Sequence, residues 1–556
     1  MPSITFSLKD LMGLLSRKIS INELENLLTY CKADLENYDN KTDEVTINLG
    51  DTNLPYLYSI EGIARLLKGI LNREKGLAKL KLSKGNYKVI VDDSVAKIRP
   101  FIAAFVVKDC KINDYILKQI IQLQEKLCES YGKKRKKIAI GIYSLNKVTF
   151  PIKYKAVYPE AVKFIPLDFK REMNLKEILN IHPKGQEYAY ILREFDKYPL
   201  LIDSSNKVLS FPPIINAADL GKVSITDKDL FFEATGLDLE SVNLAANIFA
   251  YAFSDRGFKV SSVDVKHRSK TITTPYSFNE SVKVSSQHIK DLIGIELNSN
   301  DVKKLLEKAR YDFNNFTVKI PDYRRDIMHP VDVIEDIAIM HGFDNIKEEP
   351  MKSYTIGETS ELVEFIDRIR EVIIGLGYQE IMSPILHNKE ASFVKMKVKD
   401  FGSVELQNVM SQGFSILRPW LLPVVIEVLS KNKHIDYPQR IFEEGLVTIR
   451  KDDETYDYNK LAIVSAHNKG DFTEAKQVLE VITKLLGVEY SLQETEHGSF
   501  IPGRVGKIIV KGKDIGLIGE IHPSVLENWQ LEVPVAALEL NLNELYNILE
   551  NLNPNS

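Results

Sequence analysis

The span DYRRDIMHPVDVIEDIA, Asp322 to Ala338, gathers acidic side chains where a helix is set to begin. Pro330 suits a first helical turn, where its missing N–H costs nothing. From there Asp332, Glu335 and Asp336 stand at i, i+3 and i+4, within an arc of about 100°. Asp326 lies just upstream, and Val333, Ile334, Ile337 and Ala338 take the opposite side. Like charges so spaced weaken a helix by about 0.2–0.5 kcal/mol per pair. A hard divalent cation relieves that repulsion, because carboxylate oxygens are the ligands Mg²⁺ prefers. Pairing with Arg324 and Arg325 on a solvated face relieves it too, and spacing alone leaves both open.

A second run, YGKKRKKIAIGI, places Lys133, Lys134, Arg135, Lys136 and Lys137 in succession. Such a run is either a solvated face or a source of sequence-independent contacts to nucleic-acid phosphates. The ten histidines show no HExxH or other ligand spacing. His497 in HGSFIPGR and His522 in EIHP therefore read as turn and packing residues.

The elements that must position these groups are legible from periodicity. KVIVDD and FIAAFVV read as strands, and Ile116, Ile120, Leu123 and Leu127 keep helical spacing between a cap at Asn113 or Asp114 and a stop at Gly132. SSQHIKDLIGIELNSNDVKKLLEKARYDF reads as two helices joined by a polar turn, followed by the strand FTVKI. Leu362, Phe365, Ile366, Ile369, Val372 and Ile373 form an amphipathic helix ending near Gly375. GKIIVKGKDIGLIGEI reads as a hairpin. The expected fold class is mixed α/β (α+β) and multidomain, with blocks at 1–85, 86–268, 269–348 and 349–556.

Composition narrows the class. A chain of 556 residues exceeds one core. Lys+Arg 73 against Asp+Glu 77 gives a net charge of −4, so any nucleic-acid contact must come from local patches. Cys31, Cys110 and Cys128 are far apart, which excludes a disulfide framework and a thiolate zinc site and suits a reducing compartment. No apolar run reaches spanning length and the N-terminus does not read as a signal peptide, so a cytoplasmic location is expected.

GLGYQEIMSPIL follows the amphipathic helix with Gly377, Tyr378, Ile381, Pro384, Ile385 and Leu386 in the register of motif 1 of class II aminoacyl-tRNA synthetases, which it resembles. YPQRIFEEG resembles a degenerate motif 2, with Arg440 followed by Glu443. Guanidinium forks bind phosphate bidentately, yet no arginine follows the glycines of GLIGEIHPSVLENWQL, where motif 3 belongs. No aminoacylation catalytic residue is therefore expected here. The combination of RRDIMHPVDVIEDIAIMHGFDNI, LRPWLLP, YPQRIFEEG and HGSFIPGRVGKIIVKGKDIGLIGEIHPSVLENW resembles the beta chains of phenylalanyl-tRNA synthetase of archaeal/eukaryotic type over essentially the whole length. DTNLPYLYS departs from that pattern, with Leu54, Pro55 and Tyr56 where Arg-Pro-Asp is usual.

The resemblance implies an N-terminal α+β domain, an editing domain, a winged-helix-like domain of B5 type and a catalytically inactive class II synthetase-like domain with an antiparallel sheet and flanking helices. It implies a beta subunit of phenylalanine–tRNA ligase in a heterotetramer of two alpha and two beta chains, charging tRNA(Phe) with ATP bound on the alpha chain. It assigns Mg²⁺ to Asp326, Asp332, Glu335 and Asp336. It also assigns a pocket for misattached tyrosine to Leu201, Ser210, Glu233 and Thr235, within PLLIDSSNKVLSFPPIIN and FFEATGLD. Glu233 departs from the aspartate expected there. Read without the resemblance, Ser210 is a strand-edge serine and Thr235 a helix cap. An autonomous ligase needs the missing second arginine. The other alternative is a non-catalytic tRNA-binding scaffold with a degenerate synthetase fold.

Overall fold

The computed structural model describes residues 2–351, 353–409 and 411–550, so Lys352 and the last six positions of the expected final block lie outside the described residues. The chain forms two compact units, Met1–Pro350 and Met351–Ser556. It is a mixed α/β multidomain fold.

The first unit is organised around a ten-stranded sheet. In spatial order its strands are Ile215–Asn216, Val208–Phe211, Tyr198–Ile202, Ile152–Val157, Leu82–Val91, Lys259–Lys266, Phe101–Lys108, Leu230–Gly236 and Ile138–Ser144, with Thr271–Thr274 beside Lys259–Lys266. FIAAFVV is a continuous apolar run because its strand is covered on both faces. Ala103, Phe105 and Val107 pack into one core with the helix Leu239–Asp255, whereas Ile102, Ala104 and Val106 pack into another with Tyr143, Tyr154 and Leu201. The helix Asp114–Lys126 is capped by the Asn113 side chain and passes through a widened turn, Leu127–Tyr131, to Gly132.

Toward the end of this unit, helices Ser286–Ile293 and Ser299–Lys308 and the strands Asp312–Asn314 and Thr317–Lys319 precede the helix Pro330–His341. Val333, Ile334 and Ile337 of that helix are buried, so its apolar side faces the core as the spacing predicts. Leu54 and Tyr56 are buried as well, and the Tyr56 ring lies 5.2 Å from that of Tyr323.

The second unit is built on a seven-stranded sheet, ordered Gln379–Glu380, Gln439–Lys451, Glu454–Ala466, Val535–Asn541, Lys513–Ile521, Phe500–Val510 and Tyr490–Glu494. The first pair is parallel and every other pair antiparallel. Alternation sorts the strand Glu454–Ala466 between two cores. Leu461 and Ile463 pack with helices Glu361–Gly375 and Phe472–Leu485, whereas Ala462 and Val464 pack with Leu422–Lys431.

Candidate functional site

Glu233 lies in the strand Leu230–Gly236, opposite Ala104 on one side and Gly141 on the other. Both neighbours are small, which leaves room for a carboxylate at the sheet face. The Tyr143 hydroxyl donates to Glu233 Oε1 at 2.9 Å. Glu233 Oε2 is buried without a partner. Ser210 sits beside the same phenol, near enough to favour its ionised form, with its Oγ buried and outside good hydrogen-bond geometry to any partner. Ser210 and Glu233 belong to opposite ends of the sheet order, yet they line one cavity of about 110 Å³ with Arg135, Pro212, Ile214 and Asn216. Burial pushes the Glu233 carboxyl up to about 7, against the opposing pull of the Tyr143 hydrogen bond and the Arg99 charge.

Arg99 is 1% exposed. Its Nε donates to Thr235 Oγ1 at 3.0 Å, Nη2 to the Thr235 carbonyl at 2.6 Å and Nη1 to the Lys136 carbonyl at 3.0 Å. Burial lowers its pKa, partly countered by Tyr154 and Glu233. Thr235 is thus a strand residue anchoring a guanidinium, and the cap of the following helix is Asp238. Leu201 is fully buried and pairs across the strands with Ser210. The cavity is therefore lined by Ser210 and Glu233, while Leu201 and Thr235 are buried outside its lining. Sequence reasoning missed Arg99, Tyr143 and Gly141. The one available signal was a lone arginine heading the apolar run RPFIAAFVV.

The basic run follows the widened turn. Lys133, Lys134 and Arg135 adopt φ of +50°, +51° and +64° in succession, a left-handed path that non-glycine residues hold only when the surroundings fix it. Here Lys134 N–H donates to the Glu129 carbonyl and Arg135 N–H to the Cys128 carbonyl, both at 3.0 Å. Lys133, Arg135 and Lys137 line a cleft of about 940 Å³ together with Lys126, Tyr131, Lys184 and Tyr188. Lys134 and Lys136 point to solvent outside that lining. Arg135 lies 4.4 Å over the Tyr188 ring and Lys137 4.2 Å over Tyr131. Arg135 and Gln124 border both the cleft and the cavity.

Each acid of the segment is engaged by a group of this chain. The buried Arg324 guanidinium bridges Asp326 and Asp336, and Tyr311 also donates to Asp336. Those carboxylates hold the Arg324 pKa above its usual value in spite of burial. Asp332 Oδ2 accepts from the Met328 and His329 N–H groups at 2.7 and 2.8 Å, capping the helix. Glu335 pairs with Lys32 at 2.8 Å. Arg325 pairs elsewhere, with Glu240 and Glu280. Among the described residues no group of three or more His, Cys, Asp or Glu side chains is disposed to hold a metal ion. Asp326, Asp332, Glu335 and Asp336 are thus each engaged by groups of this chain rather than gathered about one point.

In the second unit, Arg440 Nε donates to Glu474 at 2.8 Å, and His467 meets the same carboxylate at 2.7 Å. Glu443 forms a buried pair with Arg418 and also accepts from Ser383 Oγ at 2.6 Å. Arg440, the motif 2 candidate, and the buried Arg418 are both held by internal carboxylates. His522 caps the helix Pro523–Asn528, and His497 accepts from Ser499 N–H at 3.3 Å. No helix among the described residues is long and apolar enough to cross a membrane.

The family description "tRNA synthetase B5 domain" matches residues 282–343, and "Phenylalanyl tRNA synthetase beta chain CLM domain" matches 346–542. A phenylalanine–tRNA ligase beta subunit from Pyrococcus horikoshii is 43% identical over 555 residues, covering 98% of this chain and 100% of that protein. One from Thermococcus sibiricus is 42% identical over 98% of this chain and 99% of its own length. A crystal structure of an N-terminal fragment of the Pyrococcus horikoshii phenylalanyl-tRNA synthetase beta subunit superposes with a TM-score of 0.60 at 40% identity, over 61% of this chain and 100% of that fragment.

Proposed function

The chain belongs to the phenylalanine–tRNA ligase beta-subunit family, and on that premise we propose that it works with an alpha subunit to attach phenylalanine to tRNA(Phe) and hydrolyses Tyr-tRNA(Phe). ATP is consumed on the alpha chain, since the arginines of the second unit are already paired. The assembly is a heterotetramer of two alpha and two beta chains in the cytoplasm. Exposed Ile374, at the end of the helix Glu361–Gly375, and exposed Met382 and Ile385, in the stretch between the strands Gln379–Glu380 and Leu386–His387, support an assembly face in the segment resembling motif 1. Of the run Lys133 to Lys137, the residues Lys133, Arg135 and Lys137 contribute tRNA phosphate contacts, supported by the aromatic-lined cleft they border.

The observation that carries the editing reading is the pair of orphaned polar atoms, Ser210 Oγ and Glu233 Oε2, facing one small cavity. A phenolic hydroxyl satisfies both at once, donating to the carboxylate and accepting from the serine. Phenylalanine offers neither bond and leaves both atoms unpaired, which is how a polar site discriminates most sharply. Leu201 and Thr235 hold the strands that carry them. A water adds to the ester carbonyl, the bond to the ribose oxygen breaks, and that oxygen takes a proton, giving free tyrosine and tRNA. For Asp326, Asp332, Glu335 and Asp336 we assign a structural role in this chain, and no step is routed through a metal.

Glu233→Ala in the alpha/beta complex is the test. Hydrolysis of Tyr-tRNA(Phe) is lost while phenylalanine charging is kept. Unchanged hydrolysis removes the pocket assignment. Binding of tRNA with no hydrolysis by the unmodified complex leaves the scaffold reading in its place.

A further inference from the structure

We propose that Tyr143 is a positioning residue for the pocket, its hydroxyl holding one oxygen of Glu233 so that the other faces the hydroxyl of a bound tyrosyl ester. This rests on the editing reading and adds a residue that the family resemblance does not supply.

The geometry comes from register. In the antiparallel pair formed by Ile138–Ser144 and Leu230–Gly236, Glu233 stands opposite Gly141 and Phe231 opposite Tyr143. Tyr143 and Glu233 are therefore diagonal neighbours on one face, within reach of a long side chain. Gly141 is what lets them meet. A Cβ there would lie 2.3 Å from the Tyr143 hydroxyl and 2.5 Å from Glu233 Oε1, closer than atoms approach.

Tyr143 is fully buried and lies outside the cavity lining, so it acts through Glu233 and does not touch the ligand. The result is an asymmetric carboxylate. Oε1 is satisfied from behind and Oε2 is left for the ligand. The charged and titratable groups around Glu233 are Arg99, Tyr143 and Tyr154, with Arg135 across the cavity. Of these, the Tyr143 hydrogen bond and the Arg99 charge favour the ionised form, which is the form that accepts a hydroxyl.

The experiment uses the alpha/beta complex, with kcat/KM for hydrolysis of Tyr-tRNA(Phe) followed against pH. Tyr143→Phe removes one oxygen atom, and phenylalanine charging serves as the control for an intact complex. The acid limb of the profile moves to higher pH, and kcat/KM at pH 6 falls on the order of tenfold through KM, as one pKa unit gives. Gly141→Ala, which forces the two side chains apart without removing the hydroxyl, shifts the limb the same way. A limb that stays in place in both variants, with the unmodified complex active, overturns the role of Tyr143 and leaves the editing reading standing. An unmodified complex that hydrolyses no Tyr-tRNA(Phe) sinks both.

Discussion

Arg99 embraces Thr235, donating from Nε to its hydroxyl and from Nη2 to its carbonyl, while a third donor reaches the Lys136 carbonyl. One buried guanidinium thus ties the pocket strand to the basic run. Arg99→Met leaves those buried carbonyls unpaired, at about 1–3 kcal/mol each. Thr235→Val leaves the buried Arg99 Nε–H without its acceptor, at about 1–3 kcal/mol, but keeps the bond to the Lys136 carbonyl. Hydrogen exchange at the amides of Lys133 to Lys137 separates the two variants. Exchange there accelerates in Arg99→Met and stays at the original rate in Thr235→Val. Equal acceleration in both would mean the guanidinium does not hold the run.

Glu233 makes stability depend on pH in a defined direction. Its carboxyl is raised from 4.5 to about 7 in the folded chain. The folded state therefore holds a proton that the unfolded state releases, and this contribution is fully present below about pH 4.5 and is lost as pH rises through 7. Glu233→Gln has no such proton. Its stability relative to the unmodified chain rises by up to about 3 kcal/mol between pH 4.5 and 7.5. Denaturation midpoints of the two proteins across that range are the measurement, and a constant difference would contradict the burial of the carboxylate.

Arg135 and Lys137 line the cleft, while Lys134 and Lys136 lie outside its lining. Each phosphate contact removed lowers the slope of log K against log salt by about 0.7–0.9. Arg135→Ala and Lys137→Ala each flatten the salt dependence of tRNA binding by that amount. Lys134→Ala leaves it within error. An equal effect at all three positions would favour a diffuse field over a cleft.

The local elements were legible because their causes are local. The period through Ile116, Ile120 and Leu123 needs nothing beyond the helix itself, and the unbroken run FIAAFVV marks a strand covered on both faces. The pocket was not legible from the residues alone, because Ser210 and Glu233 come together only through the order of the strands, which alternation does not encode. A wheel drawn on spacing groups Asp336 with Asp332 and Glu335, but it has no knowledge of Tyr311 and Arg324, which draw Asp336 inward. The resemblance located Glu233 and Ser210. It could not say which of their atoms stay unpaired.

The arginine between two aspartates makes a sharp statement about the acidic segment. Removing one partner of a buried ion pair costs about 3–5 kcal/mol, because the remaining charge is left uncompensated. Arg324→Met exposes Asp326 and Asp336 to each other and lowers the thermal midpoint of the purified chain accordingly. The unmodified chain, in which Arg324 already bridges both carboxylates, keeps its midpoint in EDTA and in millimolar MgCl₂. A rise on adding magnesium to the unmodified chain would show that the acids open to hold a cation.

The second unit makes the strictest prediction about the division of labour. Activation of an amino acid by ATP requires guanidinium groups free to meet phosphate oxygens. Arg440 is instead held by Glu474, whose other oxygen is taken by His467. Arg418, 3% exposed at its side chain, is closed against Glu443 at 1%. Swapping a carboxylate for a phosphate at either arginine would require abandoning an ion pair that the fold already supplies, and at Arg418 a buried one. Phenylalanine-dependent ATP–pyrophosphate exchange is therefore absent for this chain alone and present once an alpha subunit is added. Glu474→Ala frees one arginine without creating its missing counterpart, so exchange by the isolated chain stays absent in that variant too. Exchange by the unmodified chain alone would mean that these pairs break on binding ATP, and the case for catalysis on the alpha subunit would fail with them.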